Sequence, residues 1–308
     1  MDGTTTLAAP LHLVSTKPAR LAAAHPPVTL PLQPDWQCLL SDLTTFGVVR
    51  VAVGNRLASL NCSAEPWYIA RQDDAMQLRG PGIAIAALTN RWTTATISRD
   101  QPDAPFEQLT IHDLSERELL RVRLTEESAR SGFHALLVRQ WARRAAPGAV
   151  RHANTITPRE LDALQACCGD WTDGELQHGW HGTTHPQHPG SYVDPTLLVP
   201  FLETMVDQVC PLRVTLGNNG LLQRHDNSYF DMRLCHDRLQ LRSCTSTFTL
   251  DIGGISHARR MRTPAGDGTA RIHLYDQSCR CVTGLGLASD ADGRNLDLWQ
   301  SMIRALAD

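Results

Sequence analysis

The chain has 308 residues, a formal net charge of −3 with histidine neutral, 42% hydrophobic residues and 20% charged ones. That is enough for about two domains with a sizeable core, and it excludes the global basic field of a nucleic-acid-binding protein. The nine cysteines are odd in number and include no Cys-x-x-Cys pair, so the expectation is reduced thiols rather than a disulfide framework or a structural zinc site. No run approaches the roughly 18 apolar residues of a membrane span. The first residues lack the basic and continuous apolar regions of a secretion signal, and a cytoplasmic location is expected.

Residues 1–34 are rich in Thr, Ala and Pro. Pro26, Pro27, Pro31 and Pro34 forbid a regular helix there, so the segment reads as an extended or disordered leader. Asp35 then caps a helix with Trp36, Leu39, Leu40 and Leu43 on one face. Val48 to Val53 is β-branched and reads as a strand closed by Gly54-Asn55. Further strands are predicted at Trp67 to Ala70, Ile83 to Leu88, Trp92 to Ile97, Leu109 to Ile111 and Leu119 to Leu124. A helix from Glu126 to Arg144, carrying Trp141, closes this half.

Residues 145–157 read as a linker. Thr157-Pro158-Arg159-Glu160 is a helix start with a capping box and proline at the first helical position. Trp171 to Pro195 holds His178, His181, His185 and His188 among Gly and Pro residues and reads as a loop. A helix follows at Leu197 to Val209. Eight short strands are then predicted between Arg213 and Leu287, and a last helix from Leu296 to Leu306 contains Trp299.

The two halves echo each other. Val51-Ala52-Val53-Gly54-Asn55 returns as Val214-Thr215-Leu216-Gly217-Asn218, and Leu109-Thr110-Ile111-His112-Asp113 returns as Ile272-His273-Leu274-Tyr275-Asp276. Both matches have one offset, since 217 − 54 and 276 − 113 are each 163. This predicts a tandem duplication of the α+β class, with two large antiparallel β-sheet units each flanked by helices. The expected division is a leader at 1–34, a first sheet repeat at 35–146, linker helices and a His-rich loop at 147–209, and a second sheet repeat at 210–308.

In the second half the sequence resembles the bacterial hemin-degrading factor family, the HemS type of haem-utilisation protein. Gly217-Asn218-Asn219-Gly220 with Leu222-Gln223-Arg224-His225 is similar to the family's Val-Gly-Asn-x-Gly-Cys-Ile-Gln-Ile-His. Arg262-Thr263-Pro264-Ala265-Gly266-Asp267-Gly268 is similar to its Arg-Lys-Pro-Thr-x-Asp-Gly turn, and Leu274-Tyr275-Asp276 to its Leu-x-Phe-Asp. Pro34-Asp35-Trp36 and Gly47-Val48-Val49 resemble the matching part of the first half. The likeness runs in order over about residues 35–308. It implies a protein that binds haem between two similar sheet units and passes it on or degrades it for iron supply, with a haem importer or an electron donor as partner.

The scaffold follows the family more closely than the site does. Glu175 stands where the family has its axial histidine, Ala86 where it has an arginine before the Trp, and Leu285-Gly286-Leu287-Ala288 where it has a basic run. His178 and His181 lie three and six residues beyond the ligand position, and neutral imidazole is a good donor to iron. The same histidines could hold a loosely bound metal ion or simply be solvated. Arg259, Arg260 and Arg262 are candidates for meeting haem propionates. Strand alternation sets Arg260 and Arg262 on one face and Arg259 on the other. His225 matches a family position and also reads as a half-buried strand residue. The other reading is a protein that kept the fold and lost the haem site, acting as a binding or regulatory module. No Gly-x-Ser-x-Gly, P-loop or His-Glu-x-x-His pattern competes.

Overall fold

The computed structural model describes residues 28–32, 35–66, 68–100, 104–142, 156–168, 171, 173–180, 190–262 and 270–306. The first half runs β1 (Val28–Leu32), α1 (Trp36–Leu43), β2 (Gly47–Gly54), β3 (Ala58–Ala64), β4 (Tyr68–Gln72), β5 (Ala75–Gly80), β6 (Ile83–Leu88), β7 (Thr94–Arg99), β8 (Gln108–His112), β9 (Glu118–Ser128) and α2 (Arg130–Ala142). Two connecting helices follow, α3 (Pro158–Cys167) and α4 (Asp173–His178). The second half runs β10 (Ser191–Val193), α5 (Leu198–Asp207), β11 (Pro211–Gly217), β12 (Leu221–Ser228), β13 (Asp231–Cys235), β14 (Arg238–Arg242), β15 (Ser246–Asp251), β16 (His257–Arg262), β17 (Ala270–Tyr275), β18 (Cys281–Leu287) and α6 (Gly293–Ala305). The expected α+β class holds. Element starts repeat at the spacing read from the sequence: 191 − 28, 221 − 58, 246 − 83 and 293 − 130 are all 163.

The strands form two nine-stranded antiparallel sheets. The first has the order β1-β7-β8-β9-β2-β3-β15-β14-β13 and the second β10-β16-β17-β18-β11-β12-β6-β5-β4. Neither sheet belongs to one half. Strands β4, β5 and β6 of the first half finish the second sheet through β6 on β12, from Leu221↔Ala87 to His225↔Ile83. Strands β13, β14 and β15 finish the first sheet through β15 on β3. Sequence reading expected one continuous meander per half. Alternation tells which side of a strand is apolar, but not which of two sheets receives it.

The repeated motifs make the turns that join the halves. The Asn55 side-chain oxygen accepts from Leu57 and Ala58 N–H. Its amide nitrogen donates across to Gly217 O at 3.0 Å and Val282 O at 2.8 Å. Asn218 mirrors this, accepting from Gly220 and Leu221 and donating to Gly54 O at 3.3 Å and Leu119 O at 2.7 Å. Asp113 and Asp276 each accept two backbone N–H bonds, from Ser115 and Arg117 and from Ser278 and Arg280. A short carboxylate or amide that mimics a backbone acceptor is what such turns need.

One apolar core holds the inner faces of both sheets together with α1, α2, α5 and α6. Val49, Val51, Val53 and Leu60 of the first sheet lie in it with Leu212, Val214, Leu216 and Leu274 of the second. Asp35 caps α1 by accepting from Gln37 and Cys38 N–H, and the capping box at Thr157 and Glu160 is complete. Trp299 is fully buried, packs edge-on to Phe201 and donates to Ala270 O. The side chain of Trp141 lies outside the described residues.

Residues 28–32 of the expected leader are extended and form β1, which pairs with β7 from Val28↔Arg99 to Leu32↔Ala95 and buries Leu32; residues 1–27 lie outside the described residues. Pro31 is tolerated because β1 is an edge strand, where a missing N–H need not break a ladder. The segment from Trp171 to Pro195 is not all loop, since it contains α4 and β10. Elements of six and three residues are too short to show a period.

Candidate functional site

The connecting helices cover the outer face of the second sheet. Leu212, Val214, Leu216, Ile272 and Leu274 point into the main core, so alternation turns Arg213, Thr215, Arg271, His273 and Tyr275 outward. On β12 the outward residues are Leu222, Arg224 and Asp226. Over this face Leu164, Cys167, Cys168, Trp171, Leu176 and Trp180 form a second apolar cluster with Ala75, Ala84, Ala86, Leu88 and Leu222. The alanines matter because they leave room for two indoles against the strands; Trp180 is 1% exposed and Trp171 6%.

Glu175, on α4, is buried against this face at 2% exposure. Its carboxylate lies 2.6 Å from Arg271, 3.8 Å from Arg224 and 4.0 Å from Arg213. Arg213 also donates both arms to Asp226, at 2.8 and 2.6 Å. Burial pulls the Asp226 carboxyl upward, but the hydrogen bonds and charge of Arg213 outweigh it and hold the group below the usual range. Arg224 lies 4.7 Å from the centre of the Trp171 ring, a cation–π contact.

A second buried pair fixes α3. Arg91, after β6, donates to both oxygens of Glu160, with side chains 5% and 6% exposed. It also donates to Asn219 O, in the turn before β12. Burial alone would raise the Glu160 carboxyl; Arg91 and the Thr157 backbone outweigh it and bring it down to about 2. Thus the helix that carries the cover is pinned to strands from both halves.

Next to the arginines lies a row of potential donors. His257 stacks on Tyr275 at 5.0 Å, and the Tyr275 hydroxyl donates to Met261 Sδ at 3.8 Å. His273 is 4% exposed, with Nδ1 4.0 Å from Cys281 Sγ. Burial, then the nearby Asp276, push the Cys281 thiol up to about 12, so it is a neutral thiol at physiological pH.

Of the residues singled out in the sequence, Arg259 joins this face. It is the register partner of His273 and donates to Gly190 O. Arg260 pairs in register with Ile272, on the opposite face, and donates to Ser191 Oγ. The side chains of Arg262 and His178, and all of His181, lie outside the described residues. His225 sits elsewhere. It pairs in register with Val214, facing inward, and its Nδ1 is 3.0 Å from Gly82 O. Burial holds its imidazole below the ordinary value. It lines a separate cleft of about 720 Å³ with Arg50, Glu65, Glu126 and Asn227. The structure therefore does not bring His225 together with Arg259.

Sequence reading missed Arg213, Arg224 and Arg271 and weighed Glu175 only as a poor iron ligand. The available signal was arginine between apolar strand residues, as in Leu-Leu-Gln-Arg-His and Ala-Arg-Ile-His, and a carboxylate between two tryptophans.

No protein-family model and no curated protein matches this sequence. Solved structures do. Holo-PhuS, a heme-binding protein from Pseudomonas aeruginosa, matches with a TM-score of 0.69 at 16% identity, over 90% of this chain and 86% of that one. ChuS, an E. coli heme oxygenase, matches with a TM-score of 0.70 at 16% identity, over 91% and 89%. The resemblance read from the sequence is borne out as a shared fold.

Proposed function

We propose that the protein binds haem on the outer face of the second sheet, beneath α4, and carries or degrades it for iron supply. The observation that carries the reading is the equipment of that face, in a fold shared with PhuS and ChuS. A haem site needs an apolar slot, an axial donor and cations for two propionates. The face supplies Trp171, Trp180 and Tyr275 as walls and Arg213, Arg224, Arg259 and Arg271 as cations. His178 and His181, three and six residues beyond Glu175 in the sequence, are the proposed axial donors. Where haem is broken down, the haem itself activates O₂ and the protein supplies ligand, orientation and shielding. The two halves are read as products of duplication. The expected setting is cytoplasmic, with an importer or electron donor as partner. Among the described residues no helix is long and apolar enough to cross a membrane.

One observation favours a second reading, a module that kept the fold and lost the haem site. Glu175 fills the family's ligand position and is held there by Arg271. A haem titration followed by absorbance separates the two. One-site saturable binding with a Soret shift is expected, and its loss in the His178→Ala/His181→Ala double variant. No shift in the wild type would favour the second reading; an unchanged spectrum and affinity in the double variant would remove both histidines as donors.

A further inference from the structure

Arg213, Arg224 and Arg271 rise from three strands of one sheet and converge on one carboxylate. Only Arg271, at 2.6 Å from Glu175, is within hydrogen-bond distance; the other two stand at 4.0 and 3.8 Å. Arg213 is oriented by its bidentate pair with Asp226 and Arg224 by the Trp171 ring. Between β17 and β11, strand β18 carries Gly286, the register partner of Arg213. A Cβ there would lie 3.4 Å from Arg271 Cγ, so the Arg271 side chain passes close over this glycine on its way to Glu175.

The three side chains are 11–13% exposed. Desolvation pulls the Arg271 guanidinium below its ordinary value despite the attraction of Glu175. Among the described residues the cluster brings together Arg213, Arg224 and Arg271 with the carboxylates of Glu175 and Asp226. In a site with little water, such an arrangement favours a further or better-placed carboxylate. The fold does not impose it: the positions 163 residues earlier are Arg50, Asn61 and Gln108. The sheet holds the arginines, whereas Glu175 comes from a separate short helix.

We propose that Arg213, Arg224 and Arg271 form a carboxylate-binding site of which Glu175 is the built-in occupant, and that a carboxylate of the bound tetrapyrrole takes its place. This rests on the reading that the ligand lies on this face. Glu175 is then a competitor for the ligand's acid group. Its helix is released from the sheet as the ligand docks.

Two experiments test it. Glu175→Ala leaves a carboxylate-sized gap before the three guanidiniums. Acetate is expected to raise the melting temperature of this variant saturably, chloride at equal ionic strength is not, and Arg271→Gln in the same background abolishes the rescue. Acetate acting no better than chloride would overturn the carboxylate site, whatever binds elsewhere. The second experiment uses metal-free protoporphyrin IX and its dimethyl ester, read by quenching of tryptophan fluorescence. Glu175→Gln keeps the shape of the side chain and carries the test if the alanine variant fails to fold. It is expected to tighten the diacid by roughly tenfold, the worth of a charge-assisted hydrogen bond, and to leave the ester unchanged. Equal effects on diacid and ester would overturn the displacement of Glu175. Acetate rescue with no porphyrin binding to the wild type would overturn the tetrapyrrole as ligand while the carboxylate site stands.

Discussion

The outer faces of the two sheets are built on the same backbone plan and end in different chemistry. Position by position, 163 residues apart, Arg50 answers to Arg213, Asn61 to Arg224, Gln108 to Arg271, Thr110 to His273 and Thr96 to Arg259. On the first sheet Arg50 and Asn61 are exposed and Gln108 and Thr96 half-buried. Their side chains make local bonds, such as Gln108 to Thr110 and Thr96 with His112. On the second sheet Arg213, Arg224 and Arg271 are only 11–13% exposed and meet Glu175 of α4. The inner faces did not diverge in kind: Val49 and Leu212, Val51 and Val214, Leu109 and Ile272, Ile111 and Leu274 are all core residues. The inner face is constrained by the packing of two sheets, and the outer face is constrained only by what covers it.

That contrast can be broken most severely at the Arg91–Glu160 pair. Glu160→Gln leaves Arg91 buried without its counter-charge and is expected to cost about 3 kcal/mol in urea unfolding, at the low end for breaking a buried pair. The pH dependence has a definite sign. The folded carboxyl is depressed from 4.5 to about 2, so its contribution is present above pH 4.5 and is lost as pH falls from there toward about 2. Asp226, also depressed, acts in the same direction. Stability that does not fall faster with acid in the wild type than in Glu160→Gln would remove this pair as the anchor of α3.

The clasp between the halves sharpens the comparison at intermediate cost. Asn218 is 5% exposed, whereas Asn55 is half-buried. Asn218→Ala is expected to cost about 2–3 kcal/mol and Asn55→Ala about 1–2, from strained turn donors and unpaired carbonyls. Equal losses in thermal unfolding would mean that the two turns are energetically equivalent despite their burial.

The smallest effect belongs to the exposed surface of the first sheet. Arg121 and Glu118 form an ion pair with side chains 46% and 35% exposed. Glu118→Gln is expected to change stability by less than about 1 kcal/mol, and by still less in high salt. A larger loss would show that this face is covered in solution.

Much of the fold was legible because local chemistry spelled it out. Asp35 and Thr157 are helix caps by side-chain geometry, and Asn55, Asn218, Asp113 and Asp276 are turn formers whatever surrounds them. Strands β3 and β5 escaped the first-half reading, although subtracting 163 from β12 and β14 would have placed them. The strand exchange was not legible, since both sheets offer an apolar inner face to the same alternating pattern. The arginine cluster was not legible either. Arg50 and Arg213 occupy the same kind of outward position in similar strands, and only the helix over one of them makes it a buried charge. His225 illustrates the converse, a residue that matches a functional pattern and serves the inner face.

The exchange of β4–β6 for β13–β15 has a consequence for how such a chain can be divided. A single repeat can lay down six strands in order, but its remaining three pair with a sheet that it does not itself contain. Cut between the halves, the chain should give two fragments that are each incomplete and that complement one another. A one-repeat polypeptide would complete a nine-stranded sheet of this order only as a homodimer swapping the same three strands. Fusing two repeats makes that partnership intramolecular, so it no longer depends on concentration, and it frees the two copies to differ.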